Sequence, residues 1–350
     1  MKKSTMMDVA KLAGVSQSTV SFVLNNSPIT ISEEAKQRIY NAVEILGYEY
    51  KARSKKNLKP AENLIVLMIP NASNYFYMEL VKNMGYFVGQ KKYSLFIVNT
   101  NRNQSDELYY LNLLCSPSST ASGIIYGFTP SVSDFSQLAA RNIPLVVVGE
   151  MDDRADISLI SLDSRKSGEM VTNHLLKLNH REIVYISSPT QSISLSRGRR
   201  LSGIELAIKG KGDLTVLCGS NETEFDNLNY EVCIGYDLTM EYFRRPNPSA
   251  TAFIGANDMI AFGIIKALNE LRIQIPHQVS VCGFDNILFS SLSNPSLTTV
   301  DHFTYSLCSM AVDILDNKIK KKGQVPSKIK CEPALIVRDS SGPAPGKDKV

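Results

Sequence analysis

Apolar positions recur along this chain with two different periods, and the change of period divides it. Over residues 1 to 47 the spacing is that of short helices. Thr5, with Asp8 three residues on, forms a capping-box pattern that opens a helix running through Lys11 or Leu12. Gly14 ends it by supplying the left-handed conformation of a tight turn. Ser16 caps a second helix, and Ser32 followed by Glu33 and Glu34 opens a third whose acidic first turn suits the helix dipole. Val9, Leu12, Ala13, Val15, Val20, Val23, Leu24, Ile39, Val43 and Leu46 are expected to form their common core. From residue 64 the texture changes to apolar runs separated by amphipathic segments of helix length. The runs LIVLMI, SLFIV, GIIY and PLVVVG form a first series, and ISLISL, EIVYIS, LTVL, TAFIG and VSVCGF a second. Continuous β-branched runs fit strands of a parallel sheet buried on both faces. Two such series predict an α/β body of two doubly wound parallel-sheet subdomains with a cleft between them.

The second helix, within QSTVSFVLNN, poses a question. At 100° per residue Val20, Val23 and Leu24 share one side, while Ser18, Phe22 and Asn25 point the other way with Gln17 on the flank. An aromatic ring on that polar face either packs on another part of the chain or is covered by something else. Two helices joined by a short turn containing Gly also make a helix-turn-helix pattern.

Charge favours a nucleic-acid reading of that pattern. Of 38 Lys or Arg and 34 Asp or Glu, residues 1 to 60 hold ten and five, so a net +5 sits there and the remaining 28 and 29 leave the body near neutral. That is the profile of a basic module for a polyanion joined to a near-neutral domain. Residues 48 to 60, YEYKARSKKNLKP, read as a basic hinge or linker, residues 61 to 339 as the body, and 340 to 350 as a polar, disordered tail.

No apolar run approaches the ~18 residues that span a bilayer, and the opening MKKSTMMDVAKLAG is no secretory signal. Six scattered cysteines without a C-x-x-C pair read as reduced thiols of a cytoplasmic protein, and four dispersed histidines argue against a zinc site. No nucleophile elbow, phosphate loop or metal cluster is present, so neither an enzyme nor a cofactor is expected.

The opening TMMDVAKLAGVSQSTVSFVLNN resembles the DNA-binding signature of the lactose-repressor/galactose-repressor family. ISEEAKQRIYNAVEILGY resembles that family's third helix. IPNASNYFYMEL, LNHREIVYIS, RRLSGIELAI, ANDMIAFG, VCGFDN, PSLTTVDH and LIVRDSSGPAP follow in the family's order, so the resemblance covers nearly the whole chain. It implies a homodimeric transcriptional regulator, acting as a repressor, with a headpiece for double-stranded operator DNA, a hinge helix, and a body like the periplasmic sugar-binding proteins. A sugar-binding protein without a DNA function is the alternative; it would share the body and lack residues 1 to 60.

On that resemblance Gln17, Ser18 and Phe22 touch base edges, and Thr5, Ser16, Thr19, Ser21 and Asn25 touch phosphates. The family often has arginine where Phe22 stands, reading guanine; phenylalanine instead suits a thymine methyl group. In the hinge the family's minor-groove leucine corresponds to Asn57, with Leu58 one residue late, and Lys55 and its basic neighbours suit phosphates. The effector, a sugar or sugar derivative, is expected against Arg200, Asn257, Asp258 and Asp285, with Tyr75, Phe76 and Tyr230 as aromatic covers and Ser196 as a further contact. A planar arginine fork, an amide and a carboxylate together match vicinal hydroxyls. A purine or other small metabolite could use the same groups.

Overall fold

A computed structural model describes residues 4–24, 31–48, 63–116, 119–150, 157–189, 195–219, 229–321 and 325–346. The chain divides into two compact units, Met1–Ala61 and Glu62–Val350.

In the first unit α1 (Met6–Ala13), α2 (Gln17–Leu24) and α3 (Glu33–Ile45) surround one small core. The Thr5–Asp8 capping box forms in both directions, and Gly14 caps the helix in the left-handed region at φ 65°. Ser16 Oγ accepts the Thr19 amide at 3.1 Å and Ser32 Oγ the Ala35 amide at 3.3 Å, so each hydroxyl satisfies an otherwise unpaired helix N–H. Val9, Ala10, Ala13, Val20, Val23, Ile39 and Ala42 are buried. Leu12, expected in this core, is instead half exposed at 50%. The buried stripe of α1 runs through Val9, Ala10 and Ala13, and Leu12 falls off its edge.

The second unit contains two sheets of six strands each. The first half of its chain gives β1 (Leu64–Ile69), α4 (Tyr75–Gln90), β2 (Ser94–Asn99), α5 (Gln104–Leu114), β3 (Ala121–Tyr126), α6 (Ser136–Ala140), β4 (Leu145–Val148) and β5 (Ser158–Leu162). There follow α7 (Ser164–Lys177), β6 (Glu182–Ser187), α8 (Leu195–Ile208), β7 (Asp213–Cys218), α9 (Tyr230–Phe243), β8 (Ala252–Gly255), α10 (Asp258–Glu270), β9 (Ser280–Phe284) and α11 (Leu288–Leu292). The remainder gives β10 (Thr298–Asp301), α12 (Thr304–Lys320), β11 (Lys328–Cys331) and β12 (Ala334–Ile336).

The first sheet has the order β2-β1-β3-β4-β5-β11 and the second β7-β6-β8-β9-β10-β12. Every pairing is parallel except β12 against β10. Both sheets therefore repeat one doubly wound order, in which the direction of winding reverses beside β1 and again beside β6. The chain passes between the sheets after β5, after β10 and after β11.

All nine strands expected from apolar runs form. The interior ones β1, β6, β8 and β9 are buried along nearly their whole length. The run at β2 departs from the expected burial on both faces. It is an edge strand, with Phe96 and Ile97 exposed at 49% and 43%. Residues 340 to 344, expected to be disordered, are laced onto the second subdomain. The Val281 amide donates to Ser340 O at 2.7 Å, the Ser340 hydroxyl donates to Val281 O at 2.6 Å, and the Ala344 amide donates to Leu178 O at 2.8 Å. The polar composition of this stretch serves backbone pairing and not solvation.

Helices α7 and α8 touch backbone to backbone. A Cβ on Gly168 would lie 2.1 Å from Arg200 O, and one on Gly203 would lie 2.0 Å from Arg165 O. Only residues without a side chain permit that approach, and α8 is the helix that carries arginines toward the space between the sheets.

Candidate functional site

In an open doubly wound sheet, ligands bind beyond the carboxyl ends of the strands where the winding reverses. Here a cavity of about 70 Å³ opens there. The first sheet lines it with Phe76 and Tyr77 beyond β1, Arg102 beyond β2 and Phe128 beyond β3, and the second with Arg197 and Arg200 on α8, Asn257 beyond β8 and Asp285 beyond β9.

Its polar groups are tightly organised. Arg200 donates from Nη1 to Ala256 O at 2.6 Å and from Nη2 to Asp285 Oδ1 at 3.0 Å, and its guanidinium lies 4.8 Å over the Phe284 ring. Burial raises the Asp285 carboxyl above its ordinary range while Arg200 pulls it back down. Burial, aided by Arg200, pushes His302 down to about 3, so this imidazole stays neutral at 3.4 Å from Nη2.

A second network joins the sheets. Glu231 Oε1 accepts from Arg197 Nη2 at 3.1 Å and from Asn257 Nδ2 at 2.6 Å. Its Oε2 accepts from Asn74 Nδ2 at 3.0 Å, and Asn74 caps α4 on the first subdomain. A buried carboxylate needs such partners, and here one comes from the first subdomain and two from the second. The Asn74–Glu231 bond thus ties the two subdomains together beside the cavity.

Five of the expected effector residues meet at this cavity: Phe76, Ser196, Arg200, Asn257 and Asp285. Three do not line it. Tyr75 turns outward and packs edge-on to Phe289 with ring centroids 5.1 Å apart. Tyr230 is buried in the core of the second subdomain. Asp258 points away from the cavity and holds the α11 loop. It accepts from the Ile287 amide at 3.1 Å, the Ser290 hydroxyl at 2.6 Å and the Thr299 hydroxyl at 2.5 Å. Burial, with Asp285 adding repulsion, raises its carboxyl to about 7. Sequence reasoning missed Asn74, Arg102, Arg197 and Glu231. Position could have found Asn74 and Arg102, which stand in the loops after β1 and β2, while Arg197 and Glu231 lie in the first turn of the helices that follow β6 and β7.

On α2 of the first unit, Gln17, Ser18 and Phe22 are exposed together, with Phe22 38% accessible and outside the core cluster. Thr19 and Ser21 are half-buried beside them. Ser16 Oγ is held by its cap and by the Ser18 and Thr19 hydroxyls, both at 2.7 Å. The Thr5 hydroxyl is likewise engaged, 2.6 Å from Asp8 Oδ2. Asn25, Lys55, Asn57 and Leu58 lie outside the described residues.

A helix-turn-helix unit with an exposed polar second helix, followed in the chain by two parallel sheets around a polar cleft, defines a ligand-sensing regulator of the DNA-binding class. The comparisons agree. The family profile described as bacterial regulatory proteins, lacI family, matches residues 5–50, and that of the periplasmic binding protein-like domain matches residues 172–341. The ribose operon repressor of Escherichia coli (strain K12) is 28% identical over 340 residues, spanning 97% of this chain and 100% of that protein. The HTH-type transcriptional repressor PurR of Aliivibrio fischeri (strain MJ11) is 26% identical over 346 residues, 96% of this chain and 98% of that one. The crystal structure of a periplasmic binding protein/LacI transcriptional regulator from Alkaliphilus metalliredigens QYMF, complexed with D-xylulofuranose, is 25% identical. It superposes with a TM-score of 0.68 over 80% of this chain and 99% of that chain. This chain carries a DNA-binding domain of the lacI family joined to a periplasmic binding protein-like domain, and it is a DNA-binding transcriptional regulator. Among the described residues no helix is long and apolar enough to cross a membrane.

Proposed function

We propose that this regulator is a repressor whose operator affinity is set by a sugar or sugar derivative held in the cleft, and that it works in the cytoplasm as a homodimer without catalytic activity. The observation that carries the reading is the Glu231 network, in which one carboxylate joins Asn74 of the first subdomain to Arg197 and Asn257 of the second. A ligand that competes for these groups changes the balance between subdomain arrangements, and linkage then passes the change to DNA affinity. The bound D-xylulofuranose of the related structure supports a sugar as the ligand class. Titrating operator-like duplex in the presence of a sugar panel is the test. One sugar is expected to shift operator affinity by about 5- to 150-fold, the usual range of such couplings. Absence of DNA binding under all conditions would remove the reading.

The homodimer rests on apolar side chains left in the open. Tyr75, Met78 and Tyr86 follow one face of α4, and Leu288, Phe289 and Leu292 continue from Tyr75 through its contact with Phe289. Exposed apolar groups in such number mark an interface, and a two-fold dimer places two recognition helices one DNA turn apart.

At the operator, Gln17 is assigned to an adenine, Ser18 to a base or phosphate, and Phe22 to a thymine methyl group. Thr5, Ser16, Thr19 and Ser21 are assigned to phosphates. Binding-site selection from a random library is expected to return A·T pairs opposite Phe22, and Phe22→Arg is expected to move that position toward G·C. Each base preference of this kind is worth about 1–3 kcal/mol. A dominant guanine selected by the unaltered protein there would rule the assignment out.

A further inference from the structure

We infer that the ligand of this cleft carries a negative charge, as a phosphate or a carboxylate, and that Arg102 receives it. The inference rests on the cleft being the effector site and adds the charge of the effector. Two of the three arginines lining the cavity are already matched: Arg197 pairs with Glu231 at 3.1 Å and Arg200 with Asp285 at 3.0 Å. Among the described residues Arg102 takes part in no ion pair. It donates from Nη2 to the Tyr77 hydroxyl at 3.1 Å, and its guanidinium lies 6.0 Å from the centre of the Phe128 ring. Its Nε is buried without a hydrogen-bond partner, and so is the Nε of Arg200 on the opposite wall.

One nearby carboxylate does act on Arg102. Glu107 is attracted to it without forming an ion pair: its Oε2 is held by the amides of Ser131 at 3.0 Å and Val132 at 3.3 Å, its Oε1 is buried without a hydrogen-bond partner, and burial raises its carboxyl. The backbone also speaks for a placed side chain. Asn101 and Arg102 are successive residues in the left-handed region, at φ 49° and 52°, a conformation that is costly outside glycine and gathers at ligand clamps. A hydroxyl can accept one N–H from Arg102 but carries no charge to balance the guanidinium, and among the described residues no carboxylate reaches it at ion-pair distance. An oxyanion satisfies both the orphan donors and the charge, through charge-assisted bonds roughly twice as strong as neutral ones.

The test is calorimetric titration of the full-length protein with matched sets: D-ribose, D-ribose 5-phosphate and D-ribonate, then D-glucose, D-glucose 6-phosphate and D-gluconate. One charged member is expected to bind at least about tenfold more tightly than its neutral parent, with an advantage that shrinks as salt rises. The phosphate and carboxylate arms tell which anion is meant. In Arg102→Gln the charged and neutral members should bind alike, whereas Arg102→Lys should keep part of the difference. Unchanged circular dichroism and thermal unfolding certify that both variants fold. Neutral parents binding as tightly as both charged forms, or a charged advantage that survives in Arg102→Gln, overturns the inference. If that neutral binding disappears in Arg200→Gln, the cleft remains the effector site and only the charge assignment falls. Binding by no member of the panel overturns the inference as well, and the operator titration then decides whether the cleft reading falls with it.

Discussion

Arg200→Ala is expected to abolish the effect of any ligand on operator affinity and to destabilise the second unit by about 3–5 kcal/mol, the usual cost of removing one partner from a buried ion pair. Arg200 is 8% exposed and is bonded both to Ala256 O and to Asp285 Oδ1, so its loss strips a buried carboxylate of its cation and a carbonyl of its donor. Asp285 is already pushed upward by burial and loses the guanidinium that opposes the push. In the variant it takes up a proton on folding at a pH where the unfolded chain holds none. A carboxyl raised in the folded state gives stability below its unfolded value, near 4, and that stability is lost as pH climbs through the folded value. The variant should therefore regain part of the deficit between pH 7 and pH 5. Urea unfolding at both values measures it, and a deficit independent of pH would show that Asp285 is not the group left unpaired. Arg200→Lys keeps the charge without the planar fork, so it should recover stability further than it recovers the ligand response.

Gly168→Ala is the second large effect. Its new methyl group would meet the Arg200 carbonyl at 2.1 Å, a backbone atom that cannot step aside without moving α8. Overpacking of this kind costs about 1–3 kcal/mol. The displacement carries Arg197 and Arg200 with it, so ligand affinity should fall although residue 168 touches no ligand. Gly203→Ala should behave alike, because its Cβ would meet Arg165 O at 2.0 Å. Gly198→Ala on the same helix is the control: nothing lies within 4 Å of its Cβ. Alanine there should stabilise the helix by about 0.5–1 kcal/mol. Denaturant midpoints of the three variants, with ligand titration of each, separate the seam from helix propensity. Equal behaviour at positions 168 and 198 would show that the seam has room to spare.

The fold was legible wherever one physical signal dominated. Long β-branched runs such as LIVLMI and EIVYIS announced buried parallel strands, and Thr5, Ser16 and Ser32 announced helix starts through their side-chain oxygens. Strands β10, β11 and β12 gave no such signal. TTVD, KIKC and ALI are short or mixed in polarity, and they become strands because a neighbour in the sheet supplies their hydrogen bonds. The docked stretch from Ser340 to Ala344 escaped for the same reason, since polar composition reports solvation and not pairing with a distant part of the chain. Arg200, Asn257 and Asp285 were readable through their motifs. Glu231 was hidden beside the more conspicuous Tyr230, and Arg102 stands in the loop after β2, outside every motif that carried the resemblance. Asp258 shows the opposite failure: its motif position was right, while its carboxylate faces Ser290 and Thr299 instead of the cavity.

The repeated passage of the chain between the sheets bears on its synthesis. Helix α12 supplies Leu307, Cys308, Ala311, Val312 and Leu315 to the core of the first subdomain, and β11 closes that subdomain's sheet beside β5. A ribosome that has delivered every residue as far as β10 has thus made most of the second subdomain while the first still lacks a wall. Neither half can be finished ahead of the other, and no single cut between them releases an intact piece. The two lobes of the sensor are in this sense one folding unit, born together from the same final stretch of translation.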